Sequence, residues 1–258
     1  MKRLITLFLI FSISISSINC NAQEPLQIGT ETEDIFLTDN LNIAKAQVEK
    51  YPDNPEAHFN LAIALSRTSL VEDAIKELRV TKNLIRKPEN AGVMDKKINE
   101  YKEMLKESND SNYSNNIRYR LAFSHYLKAY LISKNIQKSK GKNQNKPKSL
   151  NLFSPNALSL NDRNPEIKKN LEESINYFKE QLKERPDDIW AKIYYGFILA
   201  EQYNDLTNAK RLWAEAHEQN PNNPAPHFFL GELKIKEGNL KEGILDISQA
   251  ILLRSLGN

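Results

Sequence analysis

The chain has 258 residues, 40% apolar and 27% charged, with 36 Lys and Arg against 33 Asp and Glu. A formal charge of +3 is too small to mark a nucleic-acid binder, and a single cysteine excludes an internal disulfide or a multi-cysteine metal site. Only eight glycines, with abundant Leu, Ile, Lys, Glu and Asn, favour helices over sheets, so an all-α fold is expected.

Lys2 and Arg3 precede an apolar stretch, residues 4–18, softened by Thr6 and four serines. A basic end followed by an apolar core is the order of a signal peptide. As a helix this stretch reaches roughly 22 Å, short of a ~30 Å hydrocarbon layer, which disfavours a permanent span. It ends at Ser17-Ile18-Asn19-Cys20. That run resembles a bacterial lipoprotein cleavage site, with Asn19 where a small residue is usual. The resemblance implies loss of residues 1–19, lipidation of Cys20 and a membrane anchor. Ordinary cleavage after Ala22 is the alternative and leaves no lipid. Residues 20–38 carry Pro25, Gly29, Glu31, Glu33 and Asp34 without helical periodicity and read as an acidic tether. The folded region is expected over 39–258.

Leu41 to Tyr51 has helical spacing and stops at Pro52-Asp53-Asn54-Pro55. Ten residues after Pro52 comes Ala62, preceded by Leu61, and then Ala74, Leu78 and Thr81 step by four and three. These steps place one small and apolar face on each of two helices, a hairpin over 55–87 with its turn at 66–69. Residues 91–107 form an extra helix with Met94, Ile98, Tyr101 and Leu105 on one stripe. After a break at 108–112, residues 117–132 read as a strong helix carrying Leu121-Ala122. Its partner comes late. The four-three step reappears at Ser174, Phe178 and Gln181, before Pro186, and Ala122 to Ser174 is fifty-two residues. A repeat over 113–185 therefore holds an insert, residues 135–164. From 111 to 161 there are nine Lys and Arg and no acidic residue. Lys134, Lys138, Lys140, Lys142, Lys146 and Lys148 have two readings: a solvated loop, or contact with an anionic surface such as lipid headgroups or an acidic partner.

The clearest pattern is written twice, over 187–220 and 222–253. Pro186 to Gly196 is ten residues, as is Pro221 to Gly231. Ala209, Trp213 and Ala216 step by four and three, and so do Gly243, Ile247 and Ala250. Gly196 and Gly231 are thirty-five apart, Trp213 and Ile247 thirty-four. Such a period with helical content marks stacked helical hairpins. The sequence resembles the tetratricopeptide repeat (TPR) family. That resemblance implies a TPR-like helical-hairpin solenoid, a right-handed superhelix, with one long inserted loop. It also implies a concave groove lined by the first helices of the hairpins. Carried across, the groove positions are Glu56, Phe59 and Ile63; Tyr119, Phe123 and Tyr126; Trp190, Ile193 and Phe197; and Phe228 and Glu232. A row of aromatic faces suits an extended or helical peptide. The same spacing also reads as packing between repeats. Family members that grip an acidic carboxyl terminus use Lys, Arg and Asn at such positions, and this chain does not.

No catalytic constellation is legible. His58, His125, His217 and His227 have no i, i+4 partner with metal-ligand chemistry. His58 and His227 occupy the same slot of their repeats, where the family has a bulky packing residue, and read as structural. No Gly-rich phosphate loop follows a strand. The expectation is therefore a non-catalytic protein–protein interaction scaffold of the bacterial cell envelope, without metal or cofactor. Its partner would be another envelope protein or peptide segment, with membrane contact through a lipid anchor and no nucleic acid. The alternatives are a carrier for a hydrophobic small ligand, held in a pocket ringed by Tyr119, Phe123, Tyr126 and Trp190, and an accessory subunit of an envelope transport or assembly complex.

Overall fold

Helix starts in this chain are written by a recurring Asn-Pro pair. A computed structural model describes residues 40–68, 70–139 and 164–256, the side chains of 137–139 excepted. These residues belong to one unit, Ile35–Asn258. Ten α-helices account for most of them: α1 Leu41–Lys50, α2 Pro55–Ser66, α3 Val71–Leu84, α4 Val93–Glu107, α5 Ser111–Ser139, α6 Pro165–Glu184, α7 Ile189–Ile198, α8 Leu206–Gln219, α9 Pro224–Lys236 and α10 Leu240–Leu256. Among the described residues there is no strand.

Asn54, Asn164 and Asn223 each accept a hydrogen bond from the backbone N–H two residues on, and each is followed by Pro at the first helical position. The side chain satisfies an orphan donor, and the proline gives up an N–H that had no intrahelical partner. Asn40, Asp188 and Asp205 cap α1, α7 and α8 without a following proline, each accepting from the N–H three residues on. Helix ends are equally local. α9 stops at Gly238, φ 89°, with Asn239 N–H donating to Lys234 O (2.8 Å) and Gly238 N–H to Ile235 O (3.1 Å), the paired bonds of a Schellman cap. α7 runs into a single π turn, Leu199–Tyr203, ended by Asn204 at φ 53°.

Each helix from α4 onward packs on the next, as do α1, α2 and α3. α3 packs on α5 rather than closely on α4. The small residues mark the closest approaches. A Cβ on Gly196 would lie 2.6 Å from the Trp213 indole nitrogen, which donates to Ile193 O at 2.9 Å. A Cβ on Gly231 would lie 2.8 Å from Gly243 O and from Ile247 Cγ1. Ser174 Oγ donates to Ala122 O (2.6 Å), so the two residues fifty-two apart do meet, across the α5–α6 seam.

Helix α5 corrects the expected bounds. It begins at Ser111 and runs to Ser139, into the residues read as insert. The Ser- and Asn-rich start is held by Asp110, which accepts from Tyr113 N–H (2.9 Å) and Ser114 N–H (2.8 Å, at its carbonyl). Packing against α4 on one side and α6 on the other overrides the weak propensity of that stretch. The signal peptide, the tether with Cys20 and the remainder of the insert lie outside the described residues.

One continuous core runs from Phe59 in α2 to Leu233 in α9, with a smaller cluster of Ala44, Leu61, Ala64, Leu65 and Ala74 under α1. A fully buried arginine, Arg120, ties three helices together. It donates to Asn60 (2.6 Å) and Asn116 (3.1 Å), and Asn60 donates to Gln47 on α1 (3.4 Å). The last helix returns to the first hairpin. Arg254 of α10 donates to Glu72 (3.0 Å) and Asp73 (2.6 Å) of α3, over a cleft that Phe228 also lines.

Candidate functional site

The aromatic row lies inside the protein. Phe59, Ile63, Tyr119, Phe123, Tyr126, Ile193 and Phe197 are exposed by 0–5%. Phe178 of α6 and Tyr194 of α7 fill the space in front of them. Phe123 packs on Phe178 and Tyr194 with ring centroids 5.8 and 5.3 Å apart, and Tyr119 on Phe178 at 5.6 Å. These seven positions are core between helices and do not line an open groove. Edge-to-face rings at such distances supply packing energy of their own. Burial also pushes the Tyr119, Tyr126 and Tyr194 hydroxyls above the usual phenol range. Tyr119, Phe123 and Tyr126, expected to ring a pocket with Trp190, are themselves buried in the core. Trp190, Phe228 and Glu232 are half-buried. Trp190 stacks on Tyr194, Phe228 borders the cleft under Arg254, and burial raises the Glu232 carboxyl.

Tyr126 has a second role, because its hydroxyl reaches the end of the core. Lys82, in the last turn of α3, donates to it at 2.6 Å. The hydroxyl in turn donates to Glu201, which the π turn after α7 carries. The Lys82 ammonium also sits 4.5 Å from the Tyr126 ring centre and 4.8 Å from that of Tyr130, and Lys134 is 5.7 Å from Tyr130. Burial lowers the pKa of Lys82 first. Glu201 pulls it back up, and the positive charges of Arg79 and Lys134 push it down again. Tyr130 is raised by burial and lowered by a charged hydrogen bond from Arg86. Lys82 and Lys134 thus flank the Tyr130 ring, and Lys82 is linked through the Tyr126 hydroxyl to the Glu201 carboxylate. An anion placed there would offset the repulsion that Lys134 exerts on Lys82.

Of this cluster, sequence reasoning found Tyr126, for another purpose, and Lys134 as part of the basic run. It missed Lys82, Tyr130, Arg79, Arg86 and Glu201. The available signal was the four-residue step from Tyr126 to Tyr130, which puts both rings on one face of α5. Lys138 lies on α5 with its side chain undescribed, and Lys140, Lys142, Lys146 and Lys148 lie outside the described residues.

The histidines have packing partners. His58 faces Glu77 through Nδ1 (2.6 Å) and Pro52 O through Nε2 (2.8 Å). His227 repeats the second contact, Nε2 to Pro221 O at 3.0 Å, again to a residue six positions earlier. His125 is buried against Asn170 (2.9 Å), and burial lowers its pKa. Among the described residues no three His, Cys, Asp or Glu side chains come together as a metal cage. No helix among them is long and apolar enough to cross a membrane. No protein-family model matches the chain, and no curated protein matches it in sequence.

Proposed function

We propose that the protein is a non-catalytic interaction scaffold of the bacterial cell envelope. It binds an acidic segment of another envelope protein at the cluster of Lys82, Lys134 and the half-buried Tyr130. The scaffold is a TPR-like array of helical hairpins that closes on itself through Arg254, and Cys20 tethers it to a membrane by lipid. Support for the repeat reading comes from features that more than one hairpin shares. These are the Asn-Pro cap and the histidine bond to a proline carbonyl six residues back, shared by α2 and α9, and a glycine at the closest approach of α7 to α8 and of α9 to α10.

The observation that carries the binding reading is the pair of ammonium groups, Lys82 and Lys134, that lie 4.8 and 5.7 Å from the centre of the Tyr130 ring. These cations come from α3 and the end of α5, not from the groove positions of the family. Charge-assisted contacts to carboxylates, with the Tyr130 ring beside them, suit an Asp- and Glu-rich peptide.

A fluorescently labelled Glu-rich peptide titrated against the protein tests this by anisotropy. Binding that weakens as salt rises, and about tenfold more in a Lys82→Met, Lys134→Met double variant, is expected. Equal affinity in the double variant, or affinity unaffected by salt, contradicts it. Fatty-acid labelling that is lost in Cys20→Ser supports the anchor; labelling that persists in that variant, or none in the wild type, contradicts it.

A further inference from the structure

Helix α10 is apolar on both sides. Gly243 and Ala250 face inward and are buried. On the other side Leu240, Ile244, Leu245, Ile251, Leu252 and Leu256 are 51–75% exposed. They make up six of the seven exposed large hydrophobic side chains among the described residues, the other being Tyr113. A contiguous apolar face of this kind marks an interaction surface.

The order of these residues says what covers it. They are symmetric about Ser248: Leu240 and Leu256 lie eight residues to either side, Ile244 and Leu252 four, and Leu245 and Ile251 three. A two-fold axis at Ser248 sets a second α10 antiparallel on the first. It brings Ile244 and Leu245 against the partner's Ile251 and Leu252, once on each side of the axis. Leu240 and the partner's Leu256 fall at the same height, on opposite flanks of the seam, at both ends. The small, exposed Ser248 sits where the helices come closest. Lys241, the one charge within the stripe, falls beside the partner's Ser255, in a last turn whose free carbonyls favour a cation. This is the self-complementarity that an isologous contact requires.

A bilayer fits the surface less well. Interfacial helices are rich in Lys and Arg, whereas α10 balances Lys241 and Arg254 against Glu242 and Asp246, and Arg254 is engaged by Glu72 and Asp73. At roughly 100 Å² for each apolar side chain, the stripe supplies on the order of 600 Å² per copy. The total of about 1,200 Å² is the low end for a specific contact, so the dimer is weak and reversible.

We infer that the exposed face of α10 pairs with α10 of a second copy of this chain, antiparallel about Ser248. The test uses the full chain in a Cys20→Ser background, so that residue 248 can carry the single thiol. Oxidised Ser248→Cys should form a covalent dimer, Lys241→Cys alone should not, and Lys241→Cys with Ser255→Cys should. Sedimentation should show a dimer that Leu245→Glu, Leu252→Glu abolishes with the helical circular dichroism unchanged. The inference is overturned by a monomer at ~100 µM, by a dimer that survives the two glutamates, or by cross-linking at 241 alone in place of 248. A monomer that floats with anionic vesicles overturns it as well and assigns the face to a membrane.

Discussion

At Gly196 a hydrogen stands where any other side chain would strike the Trp213 indole. The indole is fully buried and spends its N–H on Ile193 O, so it has little room to retreat. Gly196→Ala should lower the unfolding free energy by ~1–3 kcal/mol, read in urea. An unchanged midpoint would mean that α7 and α8 lie farther apart. This contact was legible, because the ten-residue step from Pro186 and the four-three step through Trp213 put the two residues in matching places. The Lys82–Tyr126–Glu201 chain was not. It joins three elements, and its carboxylate hangs on a π turn that no spacing announces. His125 gives a second residue-scale test. Burial holds its pKa below 6.5, so near pH 6 the unfolded chain takes up the proton more readily than the folded one. Its share of stability is full above about pH 6.5 and falls as pH drops through the folded value. Wild type should therefore lose more stability than His125→Gln between pH 7.5 and 5.5, and equal losses would remove the effect.

Among elements, the α5–α6 seam shows how far a pattern can be followed. Ala122 and Ser174 are separated by the whole insert, yet the same four-three rule that works in the short hairpins identified the pair. Ser174→Ala removes a buried hydroxyl bonded to Ala122 O and should cost about 1 kcal/mol, measured by thermal unfolding. No cost would indicate a seam that water enters. What the pattern could not give is the extent of α5, since an Asn- and Ser-rich start reads as loop until Asp110 and the neighbouring helices hold it. Nor did it show that α10 carries a second, exposed apolar face. The repeat signature picks out Gly243, Ile247 and Ala250 and is silent about the opposite face.

For the whole molecule the decisive contact spans most of the chain: Arg254 of α10 grips Glu72 and Asp73 of α3. No local signal pairs residues 181 and 182 positions apart. The aromatic row was legible as a helical stripe, but what lies in front of it was not. In the folded protein Phe178 and Tyr194 lie there, and the row becomes the centre of one core. That change moves the binding reading from the row to the basic cluster at the end of α5. Phe123→Ala is the most direct test, because a core ring and a groove ring behave differently. Its unfolding free energy in urea should fall by ~3–5 kcal/mol, the cost of a buried phenylalanine. A stability within ~0.5 kcal/mol of wild type, as for an exposed side chain, would contradict the closed core.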